Sequence, residues 1–452
     1  MPEHRPLRIV MNGVTGRMGH RQHLVRSVLP LRDAGGLPLA DGRRVPIEVV
    51  LAGRDPVKLR ALAEQHRVAE WTTDLAGAVA DPATDVVFDA AMTSLRPATL
   101  ALAMRAGKAV YTEKPTAETL ADAVALAELQ DATGVTAGVV HDKLYLPGLI
   151  KLRRLNEEGF FGRLLSLRGE FGYWVFEGDH QPGQRPSWNY RREDGGSVTT
   201  DMYCHWNYVL EGLIGSVRTV YTQVATHIPT RWDENGRPYT VTADDAAYGV
   251  FTLDTPCGDH VVAQINSSWA VRVHRDELAE FQIDGTAGSA VAGLFGCVAQ
   301  HRSATPAAAW HPDVPTTMPF RSQWQPVPDN EVFPNGFQAQ WVEFLRDVVA
   351  GRPHRFDLWS AARGVQLAEL ALRSSAEGRR LEVPELRSGR PAADGRTLVP
   401  EVDGRIPVPE VDGRIPVSEV DGRSPVPEVD GQTLVPAADG RIPGPAARRM
   451  GS

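Results

Sequence analysis

Three side chains in this sequence carry the parts of proton-transfer chemistry. Lys114 sits in Tyr111-Thr112-Glu113-Lys114-Pro115, directly after the apolar run Ala109–Thr112. If that run is a parallel strand, the lysine leaves its carboxyl end, where open α/β sheets bind their ligands. Asp201 and His205 lie in Gly195-Gly196-Ser197-Val198-Thr199-Thr200-Asp201-Met202-Tyr203-Cys204-His205-Trp206. Spaced i, i+4, they share one face of a helix. An imidazole, a carboxylate and an ammonium together can remove a proton from an alcohol while hydride leaves its carbon. Taken singly, each has an ordinary reading as a solvated lysine or a structural histidine; the case rests on the ordered set.

A hydride needs an acceptor, and the start of the chain offers a site for one. The strand-like run Leu7–Met11 is followed by Asn12-Gly13-Val14-Thr15-Gly16-Arg17-Met18-Gly19 and a helical segment from about His20. Glycines at Gly13, Gly16 and Gly19 let the backbone turn tightly, and the helix N-terminus beyond favours a pyrophosphate. Thr15, Arg17 and Met18 fill the same turn. Its spacing is GxxGxxG rather than GxGxxG, so position (first strand, then helix) carries the reading NAD(P). The second strand-like run, Ile47–Leu51, ends in Ala52-Gly53-Arg54-Asp55. An acidic residue at that tip would receive the adenosine ribose hydroxyls; here Gly53 leaves room and Arg54 can pair with a 2′-phosphate, which leans to NADP. Two alternatives stay open: Asp55 swings in to serve NAD, or Arg54 is a solvated arginine.

The elements that must hold these residues follow from periodicity. Further strands are expected at Asp85–Ala90, Ala109–Thr112 and Val135–Val140. Helices alternate with them at Val57–His66, Pro97–Ala106 and Ala117–Thr133, which implies a parallel sheet covered on both faces. Leu31–Pro46, containing Gly and Pro, reads as a surface loop. From about Leu164 the pattern becomes long β-rich runs: Leu164–Phe176, Val217–Ile228, Ala246–Leu253, His260–Val271 and Leu278–Ile283. The turns between them suggest a mostly antiparallel sheet. Helices near Gln338–Ala350 and Trp359–Ser375 close the folded part. The expected architecture is an α/β Rossmann domain (1–145), an α+β domain with a large, open, mostly antiparallel sheet (146–386), and a tail (387–452). Within the tail, residues 392–445 hold six nine-residue repeats of the type EVDGRIPVP. Their prolines and Asp-Gly pairs oppose helix and sheet alike, so the expectation is a disordered tail rather than a calcium-binding β-roll.

Composition narrows the class. With 452 residues there is room for two domains and extras, and the formal net charge of -8 argues against nucleic acid. No run approaches the ~20 apolar residues of a membrane helix, and no export signal is read at the N-terminus. Cys204, Cys257 and Cys297 fit neither a disulfide framework nor a metal site and read as buried inert thiols in a reducing cytoplasm. No metal is expected.

The ordered series resembles the Gfo/Idh/MocA family, relatives of glucose–fructose oxidoreductase and inositol dehydrogenase. The likeness spans about residues 7–385. It rests on Glu113-Lys114-Pro115, on Gly195-Gly196 followed by Asp201 and His205, on Trp188 ahead of them, on Asp284–Ser289 (DGTAGS) and on Ala371–Arg379. The resemblance implies a dehydrogenase or reductase of a sugar, cyclitol or related polyol, and a homodimer or homotetramer built on the open sheet. It implies that Lys114 polarises the reacting hydroxyl beside the nicotinamide, that His205 is the general base, and that Asp201 orients the pair or binds a neighbouring hydroxyl. Glu113 and Thr93 belong to the implied cofactor site, and the Lys114–Pro115 peptide is expected to be cis. Two departures stand out. Relatives show Thr-Pro and then His where this chain reads Thr93-Ser94-Leu95-Arg96-Pro97, and His141-Asp142-Lys143 replaces a commoner Asn/Arg-Phe pattern.

His141 and Lys143 follow a parallel strand's end and either face substrate or serve structure. Trp188, in an expected loop, is a candidate to stack on a sugar ring. Arg185, Arg191 and Arg192 either meet an anionic substrate or are solvated. Two rivals remain within the same fold: an NAD-dependent glycosidase working by transient oxidation and elimination, and a non-catalytic cofactor-sensing protein. The latter has no need of the Lys114, Asp201 and His205 set.

Overall fold

A computed structural model of the protein describes residues 5–308, 311–315, 318–329 and 335–386. The repeat-bearing tail, 387–452, lies outside the described residues.

The first sheet is parallel, with strands β1 (Leu7–Asn12), β2 (Ile47–Ala52), β3 (Glu70–Thr72), β4 (Val86–Asp89), β5 (Ala109–Thr112) and β6 (Ala137–Val139). The spatial order β3-β2-β1-β4-β5-β6 makes it a Rossmann sheet, whose direction of winding reverses between β1 and β4. The central strands are buried on both faces, which is why they read as unbroken apolar runs. Helix α1 (Met18–Val28) carries a wide turn, its end marked by the Leu29 N–H reaching Leu24 O. Helices α2 (Pro56–His66), α3 (Leu75–Ala80), α4 (Arg96–Arg105) and α5 (Leu120–Thr133) complete the alternation. One expectation fails here. Leu31–Pro46 is not a plain surface loop: it forms a helical turn and a small hairpin, Leu37–Pro38 against Arg44–Val45. Leu31, Leu37 and Val45 are buried, so apolar burial holds together a segment whose glycines and prolines suggested none.

Beyond helix α6 (Pro147–Glu157) lies the second sheet. Its main strands are β7 (Leu164–Gly172), β8 (Ser216–Ala225), β9 (Ala246–Asp254), β10 (His260–Ser268), β11 (Ala279–Gly285), β12 (Gly288–Ala292) and β13 (Cys297–His301). They run in the order β13-β12-β11-β7-β10-β9-β8, and every neighbouring pair is antiparallel except β7 with β10. Helix α7 (Val198–Leu213) packs on one face, through Met202, Tyr203, Trp206, Val209 and Leu210. On the other face Tyr221, Tyr248, Val250 and Val262 are exposed. Among the described residues, no helix is long and apolar enough to cross a membrane.

The last two helices do not simply close the second domain. Trp341, Phe344 and Leu345 of α8 (Gly336–Ala350) sit in one cluster with Ile9, Phe88 and Tyr111 of the parallel sheet. The ring of Tyr111 stacks on that of Phe344, 4.6 Å between centroids. Helix α9 (Leu358–Glu377) begins against the parallel sheet's other face through Leu358 and Trp359, and ends in the second sheet's core through Leu367, Leu370 and Ala371. Twenty residues of α-helix span about 30 Å, enough to reach from one core to the other. The cysteines divide. Cys204 and Cys297 are buried, and burial pushes each thiol up to about 11. Cys257, expected to be buried, is exposed because it lies in the turn between β9 and β10.

Candidate active site

The glycine turn follows β1 at the sheet's reversal point, the place where open α/β sheets bind their ligands. Gly13 has φ +81°, and a Cβ there would lie 2.4 Å from the backbone of Ala90 and Ala91, so only glycine lets the turn lie against the end of β4. Thr15, Gly16 and Arg17 are exposed on the crest. A Cβ at Gly16 would meet a single atom, Gly13 O at 3.4 Å, which leaves this side open for a phosphate to approach. Below the turn, Asp89 is fully buried and takes Asn12 Nδ2 at 2.7 Å and Arg96 Nε at 3.1 Å. Arg96, also buried, reaches the carbonyls of Ala91 and Pro115. The residue that departs from the family pattern thus ties the ends of β4 and β5 together, beneath the half-buried Thr93.

At the second tip Arg54 is exposed, while Asp55 caps α2 by accepting the N–H groups of Val57 and Lys58. A carboxylate engaged in that way is a poor receiver for a ribose.

Glu113 and Lys114 leave the end of β5, and the Lys114–Pro115 peptide is cis. Glu113 is buried, accepts His23 Nε2 at 2.8 Å, and turns its other oxygen to the Lys114 backbone N–H. Burial raises its pKa, but His23, with Lys114 and Arg96 behind it, outweighs this, so the carboxyl is held below its usual range. Lys114 Nζ reaches Asp201 Oδ1 at 2.6 Å and the Asp201 carbonyl at 3.1 Å.

Asp201 comes from the first turn of α7. That helix starts where Ser197 caps Thr200 N–H, and buried Asp244 takes both the Ser197 and Thr199 hydroxyls. Gly196 is required there, since a Cβ would lie 2.3 Å from Trp188 O. The second oxygen of Asp201 meets Arg185 Nη1 at 3.2 Å, and the Arg185 guanidinium lies over Trp269, 4.2 Å from the ring centroid. Burial opposes its charge, yet Lys114 and Arg185 hold Asp201 far below the ordinary carboxylate range. Burial likewise opposes the Lys114 ammonium, but Asp201 overrides it and the pKa is raised. This is an ionised lysine–aspartate–arginine row.

His205 is one helical turn further on and buried. Burial first, then the cations Lys114 and Lys143, drive its pKa well below the ordinary value, so it is neutral at pH 7. Among the described hydrogen bonds its partner is not Asp201 but Tyr208, with Nδ1 2.6 Å from the hydroxyl. Asp142 and Lys143, on the turn after β6, complete the group, with Lys143 Nζ on Asp142 Oδ2 at 2.9 Å. His141 is 3% exposed and its ring stacks on that of Tyr208. Trp188 is 51% exposed on a short 3-10 turn, Ser187–Tyr190.

Residues 7–141 match the oxidoreductase family with an NAD-binding Rossmann fold, and residues 149–291 match the GFO/IDH/MocA C-terminal domain. The chain is 67% identical over 380 residues to the D-xylose dehydrogenase of Paenarthrobacter nicotinovorans, covering 84% of this chain and 98% of that one. This chain belongs to the Gfo/Idh/MocA family. It is an oxidoreductase with an NAD-binding Rossmann domain. A second relative of this family member is the levoglucosan dehydrogenase of Pseudarthrobacter phenanthrenivorans, 26% identical over 260 residues, 55% of this chain and 65% of that one. In fold, the family member matches a solved levoglucosan dehydrogenase in complex with NADH, with TM-score 0.70 at 20% identity, covering 84% of this chain and all of that one.

The geometry adds Asp89, His23 and Tyr208, which sequence patterns left unassigned, and gives Arg185, expected to meet an anionic substrate or solvent, a partner in Asp201. Asp89 was legible as an acid inside an apolar strand. His23 and Tyr208 gave no signal, because a helical histidine or tyrosine is ordinary and both partners of His23, Glu113 and Trp341, are far away in sequence.

Proposed function

We propose that this chain moves hydride between a nicotinamide cofactor and a CH–OH carbon of a sugar or related polyol, D-xylose first among them, with Lys114, Asp201 and His205 as the proton-transfer set. The observation that carries this reading is the Lys114–Asp201 ion pair, which joins the carboxyl end of the parallel sheet to α7 with a neutral imidazole one turn away. The name of the relative at 67% identity supports a pentose.

The turn at Gly13–Gly19, with its helix N-terminus and open crest, fits a dinucleotide pyrophosphate. Bound there, the nicotinamide supplies the hydride acceptor. The protein's own residues then have the following parts. Lys114 keeps its charge and holds the substrate oxygen, stabilising the negative charge that grows as the O–H bond breaks. Neutral His205 takes that proton, and in reduction returns it. Asp201 fixes the ammonium through one oxygen and is itself held by Arg185 through the other. Trp188 offers a ring face to the apolar side of the sugar. We read exposed Arg54 beside Gly53 as accepting a 2′-phosphate, hence NADP. The open face of the second sheet serves self-association into a dimer or tetramer.

The test is NAD(P)H formation by the purified protein with D-xylose, levoglucosan, D-glucose and myo-inositol, each with NAD+ and NADP+. Turnover strongest with an aldopentose is expected. Tight cofactor binding with no turnover on any sugar or polyol would overturn the assignment.

A further inference from the structure

The tautomer of His205 can be assigned from the groups around Tyr208. The Tyr208 hydroxyl has one hydrogen to give and three polar neighbours: His205 Nδ1 at 2.6 Å, Asp142 Oδ1 at 3.1 Å and the Lys143 backbone N–H at 3.3 Å. The backbone N–H can only donate, and a carboxylate can only accept. The hydroxyl hydrogen therefore goes to Asp142, since turning it to the imidazole would set a bare oxygen lone pair against the carboxylate. His205 must then present a hydrogen on Nδ1, which leaves the lone pair on Nε2. His205 Nε2 has no hydrogen-bond partner among the described residues.

Tyr208 is not free to turn away from this arrangement. Its ring stacks on His141, 4.1 Å between centroids and 20° between planes, and His141 packs in turn against Phe356 at 4.7 Å. The backbone of His141 is pinned by the buried Gln340 side chain at 3.0 Å. Asp142 is held by Lys143 through its second oxygen. The chain Asp142–Tyr208–His205 thus spans the turn after β6 and the middle of α7, on elements fixed by both domains.

We propose that Tyr208 and Asp142 are positioning residues that hold His205 as its Nδ1–H tautomer and stabilise the imidazolium formed when Nε2 takes the substrate's hydroxyl proton. The inference rests on His205 being the general base. In the step, the O–H bond of the substrate breaks, a new N–H bond forms at Nε2, and the positive charge gained is shared through Tyr208 with the Asp142 carboxylate. Tyr208 keeps its own proton throughout. Such a counterweight is needed, because the charged groups facing His205 are mostly cations: Lys114, Lys143 and Arg185. His141, buried, is held neutral. Asp201 is taken up by Lys114 and Arg185, and Asp142 pairs with Lys143 through Oδ2, which leaves its Oδ1, 3.7 Å from Nδ1, as the carboxylate oxygen placed to offset the cations.

The experiment compares Tyr208→Phe, Asp142→Asn, His205→Asn and the double variant His205→Asn/Tyr208→Phe, all in the full chain. It uses D-xylose, or whichever sugar turns over best, with saturating cofactor, and follows kcat, KM and the pH dependence of kcat/KM. Tyr208→Phe keeps the ring stack and is expected to lower kcat about 10- to 100-fold, as loss of an outer partner of a working imidazole does, with sugar KM and NADH binding within about twofold. Asp142→Asn should move the acid limb of kcat/KM to lower pH, because removing the anion makes the imidazole harder to protonate. The double variant should be no slower than His205→Asn alone. Near-normal turnover in His205→Asn would sink the general-base reading itself. An inactive His205→Asn beside a normal Tyr208→Phe, or losses that multiply in the double variant, would overturn the relay while leaving the base in place.

Discussion

The indole N–H of Trp341 donates to His23 Nδ1 at 3.0 Å, across 318 positions of sequence. The hydrogen of this imidazole is thereby on Nε2, where it meets Glu113, and Glu113 holds the Lys114 backbone N–H. A helix from the end of the fold therefore sets the proton position on a histidine from its beginning, two bonds away from the lysine of the site.

Replacing His23 with leucine is expected to cost about 1–3 kcal/mol or more at pH 7, because the buried Glu113 carboxylate loses its partner. The sign with pH follows from Glu113. Its depressed pKa contributes stability above the unfolded value of about 4.3, lost as pH falls through the folded value. Without His23, burial dominates and the pKa rises, so the variant should lie closer to wild type at pH 5 than at pH 7. Urea unfolding at the two pH values checks this; an equal loss at both would contradict it.

Lys114→Ala should lower kcat by about 10²-fold or more, the scale of a lost charge-stabilising group. NADH binding, followed by fluorescence, should persist, since the glycine turn is untouched. A variant that turns over normally would remove Lys114 from the chemistry.

The oxidation rate should stay level as pH falls from 8 through the ordinary histidine pKa of about 6.5, because His205 remains neutral there. Lys143→Met removes one of the cations that depress this pKa, so its acid limb should move up toward 6.5. A wild-type limb already centred near 6.5 would contradict a His205 pKa depressed by burial and the neighbouring cations.

If Arg54 recognises a 2′-phosphate, Arg54→Ala should weaken NADPH binding by about tenfold, the loss of one charge-assisted contact, and leave NADH binding nearly unchanged. Parallel titrations of the wild type and Arg54→Ala with both cofactors decide the matter. Equal small effects on the two would make Arg54 a solvated side chain.

The exposed row of Tyr248, Val250 and Val262 on the second sheet gives a further test. A charge at its centre, Val250→Glu, should shift the protein to monomer in light scattering, because burying an unpaired carboxylate in an apolar contact is costly. An unchanged mass would place self-association elsewhere.

Much of this was legible in the sequence because it depends on local chemistry. Five of the six strands of the parallel sheet appear as apolar runs within a residue or two of their observed limits, while β3, only three residues long and not apolar, gave no such run, and the glycine turn lies where its pattern placed it. Lys114 and Asp201 do meet. What local patterns could not convey is partnership across the fold. Asp201 and His205 share a helix face, yet they are not partners, because Lys114 and Arg185 claim the carboxylate and Tyr208 claims the imidazole. The hairpin within Leu31–Pro46 was hidden by its turn residues, and β12 and β13 by their short, small-residue sequences. The role of α8 was hidden because an amphipathic helix does not say which sheet it will cover.

That role of α8 has a consequence for synthesis. The first six strands leave the ribosome some 200 residues before Trp341 and Phe344, whose rings complete the apolar layer over Phe88 and Tyr111. Until then the emerging N-terminal domain has an uncovered greasy face and His23 lacks its indole partner. At about 5–20 residues per second that interval lasts on the order of 10–40 s, a window in which a chaperone, rather than the chain itself, is the available cover.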